Sequence, residues 1–256
     1  MSWRIFVHSV RQVFGNLDGA LRVSGLLMIA QIVVMATIGK VMQLDEATMR
    51  QMMLDGTFPW GSFVVTVVLS TLLWLWMMVG WHRFVLLNER PALVPMLLPE
   101  RILGYLGKSI LIGLMLVPLV LVLSYAAGVL TYPMVAAGGG MSPVMGLVAL
   151  LVVYVPAGTV AMRLSAALPG VALMPGVPLM TGWEATKGQT GAIVGVVALS
   201  AVMVFGLAIL GGQLFPDAAG LPAVIYSGVT QWITALIGAS VLTTLYGHFV
   251  ERRPLI

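Results

Sequence analysis

The chain has 256 residues, of which 60% are hydrophobic and 9% are charged, with a formal net charge of +4 and no cysteine. A soluble domain carries about 25% charged residues, so this composition excludes a water-soluble globule and indicates that lipid surrounds most side chains. The absence of cysteine excludes disulfides, thiolate metal sites and cysteine nucleophiles.

The first segment, residues 2–14 with the sequence SWRIFVHSVRQVF, has two chemically different faces. The apolar face holds Trp3, Phe6, Val10 and Val13, and the polar face holds Arg4, His8, Arg11 and Gln12. This pattern is typical of an amphipathic helix that lies in the membrane interface. We therefore expect Trp3, Arg4 and Arg11 to contact lipid or a partner.

Six apolar segments follow, each close to the roughly 20 residues that a membrane-spanning helix needs. The long uncharged stretch 109–162 divides at TYPMVAAGGGMSP, where Pro133, three glycines and Pro143 favour a turn. Pro118 and Pro156 are expected to kink their helices. The predicted spans are 23–39, 60–80, 109–130, 144–162, 190–212 and 222–247.

The basic residues predict the orientation of these spans. One side of the membrane receives eleven of the 13 Lys and Arg: Arg4, Arg11, Arg22, Arg83, Arg90, Arg101, Lys108, Arg163, Lys187, Arg252 and Arg253. The other side receives only Lys40 and Arg50. Short loops rich in Lys and Arg stay in the cytoplasm, so we expect both termini to be cytoplasmic, in a bacterial inner membrane.

The segments that border the spans on this basic side carry aromatic and capping signals. In WHRFVLLNERP, residues 81–91, Trp81 and His82 suit the membrane interface, and Arg83 can extend toward lipid phosphates. In TGWEATKGQTG, Thr181 and Glu184 fit a capping box, with Trp183 as a further interfacial anchor. On the other side, residues 40–59 predict a short helix that begins at Asp45.

Three similar hairpin units can be drawn within one membrane domain, residues 1–256, with divisions 1–90, 91–170 and 171–256. The entering segments carry Gly15-x-Leu17, Gly104-x-Leu106 and Gly188-x-Thr190, and the ends GWHRFVLLNERP and YGHFVERRP share His, Phe-Val and Arg-Pro. Two explanations stay open. One is a threefold repeat, which often frames a central site. The other is that interfaces favour aromatic and basic residues at every such end.

The spans contain neutral polar residues but no charged ones. Gln31, Gln231 and Thr234 lie at depth, where they either form interhelical hydrogen bonds or line a small polar binding site. Gly191 and Gly195 form a G-x-x-x-G pair, which allows close helix packing within the chain or against a partner.

The sequence lacks known catalytic, metal-binding and nucleotide-binding motifs. His8, His82 and His248 share the basic side but lie on distant segments without metal-ligand spacing. There is no G-x-S-x-G motif, P-loop or dinucleotide fingerprint. We therefore expect no catalytic residues, no cofactor, no metal and no nucleic-acid partner.

Two segments resemble those of known membrane proteins. GWEATKGQTGAI is similar to a W-x-x-T-x-G segment of uncharacterised bacterial multi-span inner-membrane proteins, distantly like the membrane domain that accompanies glycerophosphodiester phosphodiesterases. WHRFVLLNE resembles a segment found in alphaproteobacterial proteins of this kind. Those proteins often have Asn where this chain has Gln189. The resemblance implies a six-span membrane fold without assigned chemistry, and it carries over no phosphodiesterase activity.

The sequence thus predicts an all-α integral membrane protein with six transmembrane helices and cytoplasmic amphipathic interfacial helices. Two functions compete. The first is a non-catalytic scaffold, assembly factor or accessory subunit that binds anionic lipids, membrane proteins or a second copy of itself. The second is a transporter-like protein for a small neutral or lipidic substrate.

Overall fold

A computed structural model describes residues 1–42, 46–136, 143–217 and 220–255. Within these ranges the chain forms α-helices, three short π-helical turns and no strand. The helices are α1 Ser2–Phe14, α2 Leu17–Ala20, α3 Leu26–Met42, α4 Glu46–Leu54, α5 Trp60–Leu87, α6 Pro99–Ala136, α7 Pro143–Ala149, α8 Val155–Ser165, α9 Leu168–Leu173, α10 Met180–Ala185, α11 Thr190–Leu214 and α12 Leu221–Leu245.

Six helical stretches are long and apolar enough to cross a membrane, which confirms the predicted fold class. They are Leu17–Val34, Trp60–Leu87, Pro99–Ala136, Met145–Leu173, Thr190–Leu214 and Leu221–Val250. Several extend beyond the predicted bounds, because helical hydrogen bonding continues after the apolar run has ended. The second span, for example, ends only where Asn88 adopts a left-handed conformation with φ of 53°.

π-helical turns lie within the first and fourth spans and form the end of the sixth. A π-helical turn, Leu150–Tyr154, immediately precedes α8, in which Pro156 is one of the first residues. Proline has no backbone N–H, so the preceding carbonyls must find other partners. Pro118 and Pro133 lie inside the continuous helix α6. The predicted break at Pro133 is therefore wrong, while residues 137–142 of the same segment lie outside the described residues.

The short helix expected between the first two spans is present as α4. Asp45, which was expected to begin it, lies outside the described residues. At the opposite end of the bundle, α1, α9 and α10 pack against the ends of the spans. We call this the basic end, because its segments hold eleven of the 13 Lys and Arg.

Helix α1 packs against the bundle, principally against α12 and α11. Its buried face consists of Ile5, Ser9 and Val13, each 0% exposed, and Trp3 is 65% exposed. The expected apolar face was therefore only partly right. Ser9 belongs to the packed face because its hydroxyl has partners there, which apolar periodicity does not register.

The end of the fourth span and the segment that follows it also pack against other helices. Helix α9 packs against α5 and α6, and its residues Leu168–Ala172 are buried. Helix α10 begins at Met180, with Leu179 as its N-cap residue and no side-chain cap. The predicted capping box at Thr181 and Glu184 is therefore wrong, since Thr181 already lies within the helix.

The three glycines that suggested a repeat occupy different backbone settings. Gly15 ends α1 in a right-handed conformation, Gly104 lies within α6, and Gly188 has φ of 79°. Helices α5 and α12, whose ends share the His and Phe-Val pattern, pack against each other. The threefold repeat stays a prediction.

Candidate functional site

Helices α1, α5 and α12 meet at the basic end through buried polar pairs. Trp81 donates its indole N–H to the Ser240 hydroxyl at 2.9 Å. The hydroxyls of Ser9 and Thr244 share a hydrogen bond at 3.1 Å. These pairs join residues that are 159 and 235 positions apart in the chain. They therefore fix how the ends of the three helices lie against one another.

His82 is fully buried between α12 and α6. Its Nδ1 lies 2.8 Å from Thr243 Oγ1, and its Nε2 lies 3.1 Å from the Tyr105 hydroxyl. Thr243 gives its own proton to the carbonyl of Ala239 at 2.7 Å. Thr243 must therefore accept from His82 Nδ1–H, which leaves Nε2 to accept from Tyr105. This chain of bonds uses both ring nitrogens of a neutral imidazole.

Trp81 and His82 were expected to contact lipid or a partner at the interface, and the structure places both at 0% exposure. Arg83 was expected to extend toward lipid phosphates. Instead its side chain is 17% exposed, donates to the Ala172 carbonyl at 3.2 Å and forms an ion pair with Glu89. The aromatic-basic cluster at the end of α5 is thus part of the protein core.

The guanidinium of Arg163 lies over the ring of Trp183. From the sequence, Arg163 was considered only as one of the basic residues that predict the orientation of the spans. The Arg163 guanidinium carbon is 3.8 Å from the centre of the Trp183 ring, and the side chain also donates to the Trp183 carbonyl and to Thr186. Trp183 is half-buried and packs against the core. No local spacing signals this pair, because 20 residues separate its members.

Two cavities adjoin where α1 crosses the end of α12. The inner cavity has a volume of about 260 Å³, and its polar lining includes His8, Gln12, Thr244, His248 and Arg253. The outer cavity, about 240 Å³, is lined by Trp3, Arg4, Val7, His8, Arg11 and Leu255. His8 and Leu255 belong to both cavities and form the boundary between them.

A strap of residues 251–255 closes one side of both cavities. Arg4 donates to the Leu255 carbonyl at 3.1 Å, and Arg253 donates to the Leu86 carbonyl at 3.0 Å. His248 Nδ1 lies 2.8 Å from the Arg253 carbonyl. Arg252 takes a left-handed conformation with φ of 59°, which is unfavourable for a residue other than glycine. These side-chain contacts hold the strap in its position, together with backbone hydrogen bonds from Glu251 N–H to the Tyr246 carbonyl and from Arg253 N–H to the Gly247 carbonyl.

One buried atom of a residue that lines the inner cavity lacks a hydrogen-bond partner. Gln12 Nε2 lies 3.0 Å from His8 Nε2, with which it shares a hydrogen bond. The Oε1 atom of the same side chain is buried and accepts no hydrogen bond. This atom has almost no accessible surface, so it does not face the space of the cavity.

The structure brings two of the three histidines together. His8 and His248 line the inner cavity, and His82 reaches it through Thr243, which also lines it. Within the described ranges, no group of three or more His, Asp or Glu side chains is arranged to hold a metal ion. The sequence did not predict that Arg253 and Gln12 line the same cavity, because their proximity depends on how α1 crosses α12.

The neutral polar residues at depth form two separate sites. Gln31 donates to the Ser70 hydroxyl and joins α3 to α5. Gln231 and Thr234 line a lateral groove of about 370 Å³ between α11 and α12. Thr234 donates to the Thr230 carbonyl, and Gln231 is exposed.

The two glycines of the G-x-x-x-G pair have different surroundings. A Cβ atom on Gly195 would lie 2.3 Å from Ser2 Oγ, so this glycine allows α1 to approach α11. A Cβ atom on Gly191 would meet nothing within 4 Å. Gly195 thus serves packing within the chain, and Gly191 faces open space where an external contact stays a prediction.

The hydrogen bonds of His82 with Thr243 and Tyr105 can be tested by double substitution. We expect His82→Phe to lower the free energy of unfolding by about 1–3 kcal/mol, because it leaves the buried Tyr105 hydroxyl without an acceptor. Tyr105→Phe combined with His82→Phe should restore part of that loss, since both polar partners are then gone. Thermal unfolding of the detergent-solubilised variants measures the effect. Strictly additive losses would show that the two side chains do not interact.

Comparison with protein-family models finds none that matches this chain, and comparisons with curated proteins and with solved structures return no match either. The resemblance to bacterial multi-span inner-membrane proteins therefore stays a prediction.

Proposed function

We propose that this multi-pass membrane protein is a non-catalytic accessory subunit or scaffold that binds anionic lipids at its basic end. The observation that carries the proposal is the outer cavity, where Trp3, Arg4 and Arg11 form a cationic and partly apolar wall. Guanidinium groups suit phosphate oxygens, and an exposed tryptophan suits the level of lipid headgroups.

The charges of Arg4 and Arg11 are available to an external anion. Arg22, Arg83 and Arg253 each form an ion pair with Asp18, Glu89 and Glu251, respectively. Within the described part of the chain, Arg4 and Arg11 form no such pair, and both side chains are exposed. A lipid phosphate would supply the missing negative charge.

The proposal also assigns the orientation. The basic end faces the cytoplasm of a bacterial cell, and the membrane is the inner membrane, because Lys and Arg accumulate on the cytoplasmic side. The cytoplasmic leaflet carries negative surface potential, which attracts basic segments by about 1 kcal/mol per Lys or Arg. The outer cavity would then lie at the leaflet that offers its ligand.

A transporter-like function is the second candidate. The lateral groove between α11 and α12 supports it, because the exposed amide of Gln231 lies in a span where hydrocarbon offers no hydrogen bond. Polar residues at such depth usually face a cavity or a partner. A groove filled with water could accept a small neutral substrate.

The first candidate predicts a loss of lipid binding on removal of two charges. Arg4→Ala with Arg11→Ala should weaken binding of phosphatidylglycerol by about 2 kcal/mol, roughly thirtyfold in affinity. Native mass spectrometry of the detergent-solubilised protein, titrated with the lipid, measures this change.

Arg50→Ala is the matched control, since Arg50 is an exposed arginine on α4, which lies at the end away from the basic end. We expect the control to bind as the unchanged protein does. Equal affinity of all three proteins would contradict the proposal.

The second candidate predicts that water reaches Gln231. The chain has no cysteine, so Gln231→Cys provides a single thiol that a water-soluble maleimide should label in intact membranes. Val229→Cys, at a residue 47% exposed on the same helix, should resist labelling in hydrocarbon. If neither thiol reacts, the groove is not hydrated and the transporter-like candidate fails.

A further inference from the structure

We infer that one exposed face of α12 is an interface at which a second copy of this chain packs. We call it the Gln231 face, and it consists of Ser227, Gln231, Thr234 and Gly238. The inference goes beyond lipid binding and does not depend on it, because this face lies within the sixth span and the outer cavity lies at the basic end.

The side chain of Gln231 is exposed in the middle of the sixth span. Helix α12 begins at Leu221, and at a rise of about 1.5 Å per residue Gln231 lies about 15 Å further along the helix axis. That distance is roughly half the thickness of the hydrocarbon core of a bilayer. An amide exposed at this depth meets lipid tails, which offer no hydrogen bond.

The amide of Gln231 differs in this respect from the hydroxyls beside it. Thr234 donates to the Thr230 carbonyl at 2.7 Å, and Thr230 donates to the Tyr226 carbonyl at 2.8 Å. Within the part of the chain that the structure describes, the side-chain amide of Gln231 forms no hydrogen bond, and only its backbone carbonyl accepts one from Thr234. The amide therefore needs a partner from outside that offers both a donor and an acceptor.

The spacing of the Gln231 face suits a parallel pair of helices. Its four members follow one another at intervals of four, three and four residues, which is the spacing of the seam between two helices that cross at about 20°. Ser227, Gln231 and Gly238 are exposed, and Thr234 is half-buried. The seam is thus open along about three turns of α12.

The other helices of the chain leave this face uncovered. On one side, Met28 and Ile32 of α3 lie beside Gly228, and on the other side α11 packs against α12. A Cβ atom on Gly238 would meet nothing within 4 Å. Packing within the described chain therefore gives no reason for a glycine at this position, whereas a second helix can approach closely there.

Self-complementary chemistry points to a second copy as the occupant. Two copies inserted in the same orientation meet about a two-fold axis along the membrane normal, so each residue faces its counterpart. One primary amide can donate to and accept from an identical amide, and a pair of Gln231 side chains thus forms two hydrogen bonds. The face contains no charged residue, so the symmetry brings no like charges together.

Single-cysteine variants test the symmetry of the contact. The chain has no cysteine, so a covalent dimer of such a variant can form only through the same position in both copies. We expect Gln231→Cys and Ser227→Cys to give a product of doubled mass when a membrane-permeable oxidant is added to native membranes. Val229→Cys is the matched control and should stay monomeric, because this exposed residue lies on nearly the opposite side of α12.

Two leucine substitutions test the hydrogen bonds and the close approach separately. Energy transfer between donor-labelled and acceptor-labelled copies in liposomes, measured over a range of protein-to-lipid ratios, gives the dissociation constant of the dimer. Gln231→Leu should raise this constant about tenfold, since two interhelical hydrogen bonds are lost. Gly238→Leu should abolish energy transfer, because the new side chain fits on the single chain but obstructs the seam.

Gly113→Leu is the matched control for these substitutions. Gly113 is exposed within α6, and a Cβ atom there also meets nothing within 4 Å. We expect this variant to dimerise as the unchanged protein does. Equal weakening by Gly113→Leu and Gly238→Leu would show that any added bulk in a span has the same effect, and it would contradict a specific seam.

Three further results would overturn the inference. Cross-linking that is equal at positions 229 and 231 would indicate random collision, and a cross-link of position 231 to a different protein alone would assign the face to a foreign partner. Labelling of the Gln231→Cys thiol by a water-soluble maleimide, without a covalent dimer on oxidation, would assign the face to the water-filled groove of the transporter-like candidate. None of these results bears on lipid binding, which Arg4 and Arg11 test separately.

Discussion

Hydrocarbon offers no hydrogen-bond partner to a polar side chain, and this constraint determines how the bundle is arranged. Several buried polar side chains pair with one another across helices, as Trp81 does with Ser240 and Ser9 with Thr244. Most of these pairs are concentrated at the basic end. Toward the opposite end, the spans expose apolar side chains such as Val64, Leu121 and Val202, which face lipid.

The docking of α1 follows from the same constraint and produces the candidate site. With Ser9 bonded to Thr244, α1 is held across the end of α12. Its opposite face then presents Arg4, His8 and Arg11 to the space beside the strap. A helix lying free on the bilayer would present those side chains separately to the lipid headgroups. Docked on the bundle, Arg4 and Arg11 line the outer cavity and His8 lines both cavities.

The sequence predicted the six spans well, because apolar runs of about 20 residues have few alternatives. It misplaced Trp81, His82 and Arg83, since an aromatic and basic cluster has the same composition at a lipid interface and in a buried polar core. The distinguishing information lies in Ser240, Thr243 and Ala172, which are far away in the chain.

The candidate site was predictable only in part. The face with Arg4, His8 and Arg11 follows from helical periodicity, and the positions of these residues on α1 were expected. The contribution of Arg253 and the strap was not, because it depends on the crossing of α1 and α12. The burial of Ser9 illustrates the reason: a serine on an apolar face reads as an interruption until its distant hydroxyl partner is known.

The most direct measurement of this account is a disulfide between α1 and α12. In a chain without cysteine, Ser9→Cys combined with Thr244→Cys replaces two hydroxyl oxygens that lie 3.1 Å apart. The account predicts that mild oxidation in native membranes joins the two thiols within one chain, and that neither single variant forms this link. Thiols that stay reduced in the double variant, with the one at position 9 open to a water-soluble maleimide, would contradict the docking of α1 and with it both cavities.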